Sequence, residues 1–229
     1  MIDIHSHILP AIDDGSSGLE QSLQMIKESV EQGVTDIFLT PHYRSSYKKE
    51  REDIEIAFEQ FKKFVQEQNI SINLYLGQEI YVEKGIKGLL KENKVLTLNG
   101  SKYVLVEFDY ARECDISEIV YELKLLGYIP VVAHLERYSY ADIYTAMDIK
   151  SSGGLIQVNA ASIVNHGIKS KAKFAKNLIK NGLVDFIASD AHFNRENHMK
   201  QAYSIICKKY GEQLAQDLFN NNAKVIIKG

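Results

Sequence analysis

One rhythm constrains this chain more than any other feature. A helix-period apolar stretch is followed by a glycine, a short apolar strand, and then a histidine or carboxylate. Leu19, Leu23, Ile26 and Val30 fall at i, i+4, i+7 and i+11, one face of a helix. Ser17-Gly18-Leu19-Glu20 reads as a capping box that opens this helix, and Gly33 supplies the left-handed residue that ends it. The strand Ile37-Phe38-Leu39 follows at once. The pattern returns with Ile116, Ile119 and Leu123, then Gly127, then Val131-Val132-Ala133. It returns again with Ile168, Ala172, Ala175 and Ile179, then Gly182, then Phe186-Ile187-Ala188. Apolar runs at Ile2–Ile4, Ile72–Leu76, Val104–Phe108 and Leu155–Val158, the last after a Gly153-Gly154 turn, bring the expected strands to seven.

Continuous apolar runs mark strands covered on both faces, and their alternation with helices predicts a parallel α/β fold. Seven βα units in 229 residues predict a distorted, TIM-like (β/α)7 barrel, although periodicity alone leaves an open doubly wound sheet available. No Pro/Gly/Ser-rich linker divides the chain, so residues 1–229 are expected to form a single domain. That length is ~1.5 times the typical domain, within the range of one α/β barrel. The charge-rich stretch from Lys48 to Gln68 reads as a helix with an exposed mixed-sign face.

Composition narrows the function. The 27 Lys+Arg against 30 Asp+Glu give a net charge of −3, which argues against a nucleic-acid partner. With 45% hydrophobic and 25% charged residues the chain falls in the soluble globular class. No apolar run approaches the ~18 residues of a membrane span. The N-terminus lacks the basic and long apolar regions of a secretion signal, so a cytoplasmic location is expected. Cys114 and Cys207 lie far apart and outside any CxxC spacing, which disfavours both a disulfide framework and a thiolate zinc site. A phosphate-cradling thiolate loop needs an arginine six positions on, and here those positions hold Val120 and Gln213.

The residues that follow the strands carry the chemistry. The first strand gives His5-Ser6-His7 and then Asp13-Asp14-Gly15; the second gives Thr40-Pro41-His42. The third ends in Gly77-Gln78-Glu79, the fourth in Val106-Glu107, the fifth in Ala133-His134, and the seventh in Ser189-Asp190-Ala191-His192. Five of the seven histidines in the chain thus sit at strand C-termini, where parallel α/β folds build active sites. A lone HxH pair is ordinarily structural. Glu107, directly after Val104-Leu105-Val106, is a buried-strand carboxylate that needs a cation or several hydrogen bonds. Nine such residues at six strand ends point to a multinuclear metal site. Imidazole and carboxylate donors without thiolate suit Mn, Fe or Zn, and nine donors fit two or three ions sharing a bridging carboxylate. Clustered ions of this kind perform hydrolysis, with phosphate esters the leading substrate class. Spacing does not separate Asp13 from Asp14.

Asp3-Ile4-His5-Ser6-His7, Asp13-Asp14-Gly15, Thr40-Pro41-His42, Gly77-Gln78-Glu79, Ala133-His134-Leu135-Glu136-Arg137-Tyr138 and Ser189-Asp190-Ala191-His192 together resemble the PHP (polymerase and histidinol phosphatase) superfamily. More closely, the chain resembles the manganese-dependent bacterial tyrosine-protein phosphatases of capsule and exopolysaccharide synthesis, the CpsB/YwqE type. The resemblance covers essentially the whole chain and implies a distorted barrel of seven βα units. It implies that His5, His7, Glu79 and Asp190 hold a first ion, with Glu79 bridging to a second completed by Glu107 and His134. Asp14, His42 and His192 would hold a third. It implies Mn²⁺ as the cofactor, with catalytic roles at His42 and Asp190. A metal-bridging hydroxide would attack phosphotyrosine on the tail of a cognate bacterial tyrosine kinase.

Arg137 and Arg195 lie three residues after His134 and His192, where a guanidinium fork could hold the phosphoryl group. Arg137 sits in His-Leu-Glu-Arg-Tyr, similar to the family's His-Pro-Glu-Arg-Tyr, with Leu135 in place of the usual proline. His166 and His198 are expected to be solvated. The thirteen tyrosines, Tyr43, Tyr47, Tyr138 and Tyr140 among them, are expected to be mostly half-buried surface, with one or two at the substrate mouth. Two rival functions stand beside this reading: a small-molecule phosphatase such as histidinol-phosphate phosphatase, and a non-catalytic metal-stabilised scaffold that binds the kinase. A homo-oligomer is left open.

Overall fold

The computed structural model describes residues 1–228. Its strands, all parallel to their neighbours, are β1 (Ile2–Asp3), β2 (Asp36–Leu39), β3 (His42–Tyr43), β4 (Asn73–Leu76), β5 (Glu79–Tyr81), β6 (Tyr103–Glu107), β7 (Ile129–Val132), β8 (Leu155–Asn159) and β9 (Phe186–Ala188). They form one sheet in the order β1-β2-β4 and another in the order β3-β5-β6-β7-β8-β9. The seven expected strands are all present. Two of them resume after a short break beyond their expected ends, which adds β3 and β5. Pro41, which has no N–H to donate, interrupts the ladder between β2 and β3. Gly77 interrupts it between β4 and β5, where a Cβ would stand 2.7 Å from Leu98 Cδ2. The Ser6–Ala191 bridge, with His7 N donating to Ala191 O at 2.9 Å, joins the first strand's continuation to the last. The parallel ladder thus curls round on itself as a distorted barrel.

The helices are α1 (Leu19–Glu31), α2 (Arg51–Glu67), α3 (Ile86–Lys91), α4 (Ile116–Leu125), α5 (Ile143–Ser151), α6 (Ala160–Ile163), α7 (Lys169–Lys180), α8 (Met199–Tyr210), α9 (Glu212–Gln216) and α10 (Lys224–Lys228). The Lys48–Gln68 stretch is largely α2, which buries Ile54, Phe58, Phe61 and Val65 at helical spacing. Gly33, Gly127 and Gly182 have the expected positive φ after α1, α4 and α7. Two details of α1 differ from the sequence reading. No capping box forms: extended Gly18 is the N-cap, and the side chain of Gln21 instead accepts from Ser17 N at 2.9 Å. The buried face is also rotated, comprising Ser22, Met25, Ile26 and Ser29, while Leu19 is 48% exposed. Apolar periodicity misses this face because two of its members are serines with satisfied hydroxyls, Ser22 on Ser16 and Ser29 on Met25 O.

Strand alternation divides the core. Ile37, Leu39, Val104, Val106, Val132, Ile156, Val158 and Ile187 face the helices. Phe38, Leu105, Val131, Phe186 and Ala188 fill the interior, where Ala223 and Ile226 from the C-terminal segment join them. Two residues further along, the same inward parity delivers polar groups. Leu105 leads to Glu107, Leu155 to Gln157 and Asn159, and Ala188 to Asp190. An apolar floor with a polar top at the strand C-termini follows from period-two geometry.

Candidate metal centre

At that polar top Glu79, fully buried, stands among four imidazoles. Its Oε1 lies 2.7 Å from His134 Nε2 and 3.3 Å from His5 Nε2. Its Oε2 lies 2.9 Å from His42 Nδ1 and 3.3 Å from His7 Nε2. Glu107 approaches from the same side, 3.7 Å from His134 Nε2 and 3.6 Å from His42 Nδ1. Asp190 Oδ1 lies 3.6 Å from His5 Nε2 and 3.5 Å from His7 Nε2. Asp14 Oδ1 closes the far end, 3.5 Å from His42 Nε2 and 3.7 Å from His192 Nε2. Every residue expected as a ligand is therefore in one cluster. The donor atoms group as His7-Asp14-His42-His192, His5-His7-Asp190, His5-Glu79-His134 and His42-Glu79-Glu107.

The backbone is forced to make this arrangement. His134 and Asp190 have φ of 33° and 51°, the left-handed region that non-glycine residues enter at a cost of about 1–3 kcal/mol each. His134 N is held by Gln157 Oε1 at 2.8 Å, and Asp190 N by His5 O at 2.9 Å. Gly15 packs so tightly under His7 that a Cβ would fall 1.9 Å from His7 O.

A second layer orients the rings. His5 Nδ1 faces Gln157 Oε1 at 3.2 Å, His7 Nδ1 faces Asp13 Oδ2 at 2.6 Å, and His192 Nδ1 faces Asp190 O at 3.0 Å. Each Nδ1 thus meets an acceptor and donates to it, leaving the Nε2 lone pair aimed into the cluster, as metal-ligating histidines are arranged. Geometry now separates the two aspartates. Asp13 accepts from His7 Nδ1, His42 N and Gly15 N, whereas Asp14 turns its carboxylate to the imidazoles.

Titration follows from this crowding. Burial opposes charge on His7, yet Asp13 beside it and the hydrogen bonds of Asp190 and Glu79 hold the imidazole well above its ordinary value. His5 is raised for similar reasons, with Glu79 the strongest partner against burial. Glu79 and Asp190 are held well below the carboxylate range, because the surrounding imidazoles outweigh burial.

The donor set fits divalent ions on an observation independent of spacing. His42 Nδ1 and Glu79 Oε2 are 2.9 Å apart yet too poorly aligned to hydrogen bond, and both are buried without partners, as is Glu107 Oε2. Buried polar atoms without partners cost about 1–3 kcal/mol each. Atoms that converge without bonding one another suit a shared cation.

Asp190 joins the cluster to the arginines. Its Oδ2 accepts from Arg137 Nη1 at 2.9 Å, Asn159 Nδ2 at 2.9 Å and Arg195 Nη1 at 3.4 Å. Arg137 lies over the Tyr110 ring, 4.5 Å from its centroid, and Tyr110 OH donates to Glu107. Arg195 is the more exposed of the two.

A family model described as capsular polysaccharide synthesis, CpsB/CapC, matches residues 1–228. The chain belongs to the CpsB/CapC family. Tyrosine-protein phosphatase CpsB of Streptococcus agalactiae is 35% identical over 241 residues, spanning 100% of this chain and 98% of that protein. Tyrosine-protein phosphatase YwqE of Bacillus subtilis is 32% identical over 234 residues, spanning 100% and 92%. A crystal structure from work on YwqE and Streptococcus pneumoniae CpsB, called unique metal-dependent tyrosine phosphatases, matches with a TM-score of 0.92. That match has 33% identity and covers 99% of this chain and 94% of the other.

Three polar residues of this CpsB/CapC site escaped the sequence reading. Gln157 and Asn159 were hidden in an apolar strand, where their period-two placement was the available signal. Tyr110 gave none, since only folding brings it under Arg137. Tyr138 is core, not half-buried surface, because its hydroxyl donates to Ala133 O and accepts from Phe108 N. Leu135 is fully buried in a tight turn with Arg137 N on His134 O at 2.8 Å. His166 is exposed as expected, but the His198 side chain is largely buried. Among the described residues, no helix is long and apolar enough to cross a membrane.

Proposed function

We propose that this chain is a metal-dependent protein-tyrosine phosphatase whose substrate is the tyrosine-rich tail of a bacterial tyrosine kinase that governs capsule or exopolysaccharide synthesis in the cytoplasm. The observation that carries the reading is the double use of Asp190: one oxygen faces the histidine cage, and the other anchors two arginines beside it. Cation cage and phosphate fork thereby share one wall.

His5, His7, Glu79 and Asp190, then Glu107 and His134, then Asp14, His42 and His192 are the residues that would hold the ions. All-N/O donors rich in carboxylate favour Mn²⁺, with Fe or Zn as substitutes. Divalent ions in this cage supply Lewis-acid polarisation of the phosphoryl oxygens and acidify water for attack on phosphorus. Arg137, pinned by Asp190 and Tyr110, keeps the rest of its fork for the oxygens on which charge builds. Burial opposes the charge on its guanidinium, but the Asp190 carboxylate beside it outweighs that and keeps it charged. Arg195 supplies a second, more exposed cation. The Tyr47 ring, stacked 5.9 Å from His42, and Tyr110 offer aromatic walls for an aryl phosphate. A phenolate leaving group with pKa ≈ 10 needs little help from a general acid.

The test is turnover of a phosphotyrosine peptide against histidinol phosphate, with Mn²⁺ and after chelation. The reading expects metal-dependent release of phosphate from the peptide at far higher kcat/KM. Preference for histidinol phosphate would replace the substrate class, and no turnover of either would leave a scaffold.

A further inference from the structure

Outside the cage a second set of donors meets. His166 lies in the loop between α6 and α7, and Glu196 and His198 lie in the segment that enters α8. One ligand atom from each lies within 4.8 Å of the other two. The two rings are 4.7 Å apart between centroids, and Glu196 Oε2 is 3.7 Å from His198 Nε2. The His198 side chain is only 10% exposed, and its Nε2 is buried with no hydrogen-bond partner. Protein structures rarely bury an imidazole nitrogen in this way without a role.

We propose that His166, Glu196 and His198 form a separate mononuclear site for a divalent transition ion, with zinc the best match. Two imidazoles and one carboxylate with a fourth position open are a familiar zinc set. Zinc bonds of about 2.0–2.2 Å place tetrahedral donors roughly 3.4 Å apart. Glu196 Oε2 and His198 Nε2 are already near that spacing. His166 and Glu196 are exposed side chains in loops, while His198 stands at the N-cap of α8.

The site has a consequence for the catalytic groove. A cavity of about 490 Å³ is lined by Arg137, Asn159, His166, Asp190, Arg195 and Glu196, among others. An ion held by His166, Glu196 and His198 ties the Arg195 segment to the α6–α7 loop and fixes where that arginine stands. Zinc occupancy then sets the shape of the groove without touching the cage.

The experiment compares manganese-loaded wild type, His166→Ala and His198→Gln. Zinc is added, and bound zinc per chain is measured after desalting. Trypsin cleavage at the Arg195–Glu196 bond is followed in parallel. Wild type should retain one more zinc than either variant. At zinc tenfold above its dissociation constant, cleavage in wild type should slow about tenfold, because opening must compete with binding. His166→Ala should show no such slowing. Because His166 is exposed and gives up only its ring contact with His198, its loss keeps the comparison interpretable if His198→Gln folds poorly. Equal zinc content in wild type and His166→Ala would overturn the proposal, and so would equal protection.

Discussion

Gln157 orients the His5 ring and anchors the His134 backbone at once. Its Oε1 accepts from His134 N at 2.8 Å and faces His5 Nδ1 at 3.2 Å, and its Nε2 donates to Asn159 Oδ1 at 2.8 Å. Gln157→Leu keeps the volume roughly constant and removes all three bonds. Two buried donors lose their acceptor, at about 1–3 kcal/mol each. Burial of the new apolar side chain returns about 1–2 kcal/mol. The net cost is about 3 kcal/mol, which for a chain of this size lowers Tm by about 6–12 °C. Loss of an outer-layer partner also weakens metal affinity by about 10–100-fold, because His5 is no longer fixed in its tautomer and His134 loses its backbone anchor. Calorimetric melting of the metal-free protein and Mn²⁺ competition against a chelator measure the two effects separately. Gln157→Glu retains the acceptor and should recover much of the metal affinity. Wild-type Mn²⁺ affinity in a folded Gln157→Leu protein would refute the argument that this side chain sets the cage.

Arg137→Ala should leave metal content unchanged while lowering kcat/KM for a phosphotyrosine peptide about 10²–10³-fold, with Arg137→Lys recovering only part. Gly15→Ala should reduce both stability, by about 1–3 kcal/mol or more, and metal content, since the added Cβ meets His7 O at 1.9 Å; melting and elemental analysis report each. For metal-free protein, His5 and His7 are raised above their unfolded values, so their contribution is complete below about pH 6.5 and fades as pH rises through the folded values. Glu79 and Asp190 are depressed and lose their contribution only on acidification, so Tm without metal should fall from pH 6.5 to 9. The Mn²⁺-loaded protein should show the opposite trend over the same range, because the ions require deprotonated rings.

The barrel and the cage were largely legible in the sequence because both rest on short-range regularities. Strand-length apolar runs separated by αL glycines set the βα order, and ligand residues after six of the seven strands have no other destination than the C-terminal rim. The breaks at Pro41 and Gly77 were visible as residues, but not as breaks, since the close approach of Leu98 comes from a distant segment. The buried serines of α1 hide its inward face from any hydrophobicity pattern. Tyr110 and the meeting of His166 with His198 depend on contacts between separate segments, which spacing along one chain does not encode. Asp13 and Asp14 are adjacent in sequence but differ in role because the turn at Gly15 sends their carboxylates to different partners.

The central claim is that Glu79 lies between the ions that make this chain a phosphatase, beside the Arg137 fork. Anomalous scattering at the manganese edge from crystals of Mn²⁺-loaded protein tests it most directly. The account predicts at least two peaks sharing Glu79 as a ligand, one also bound by the His5 and His7 Nε2 atoms and another by His134 and Glu107. No manganese peak within coordination distance of Glu79, in crystals of protein that hydrolyses phosphotyrosine, would contradict it.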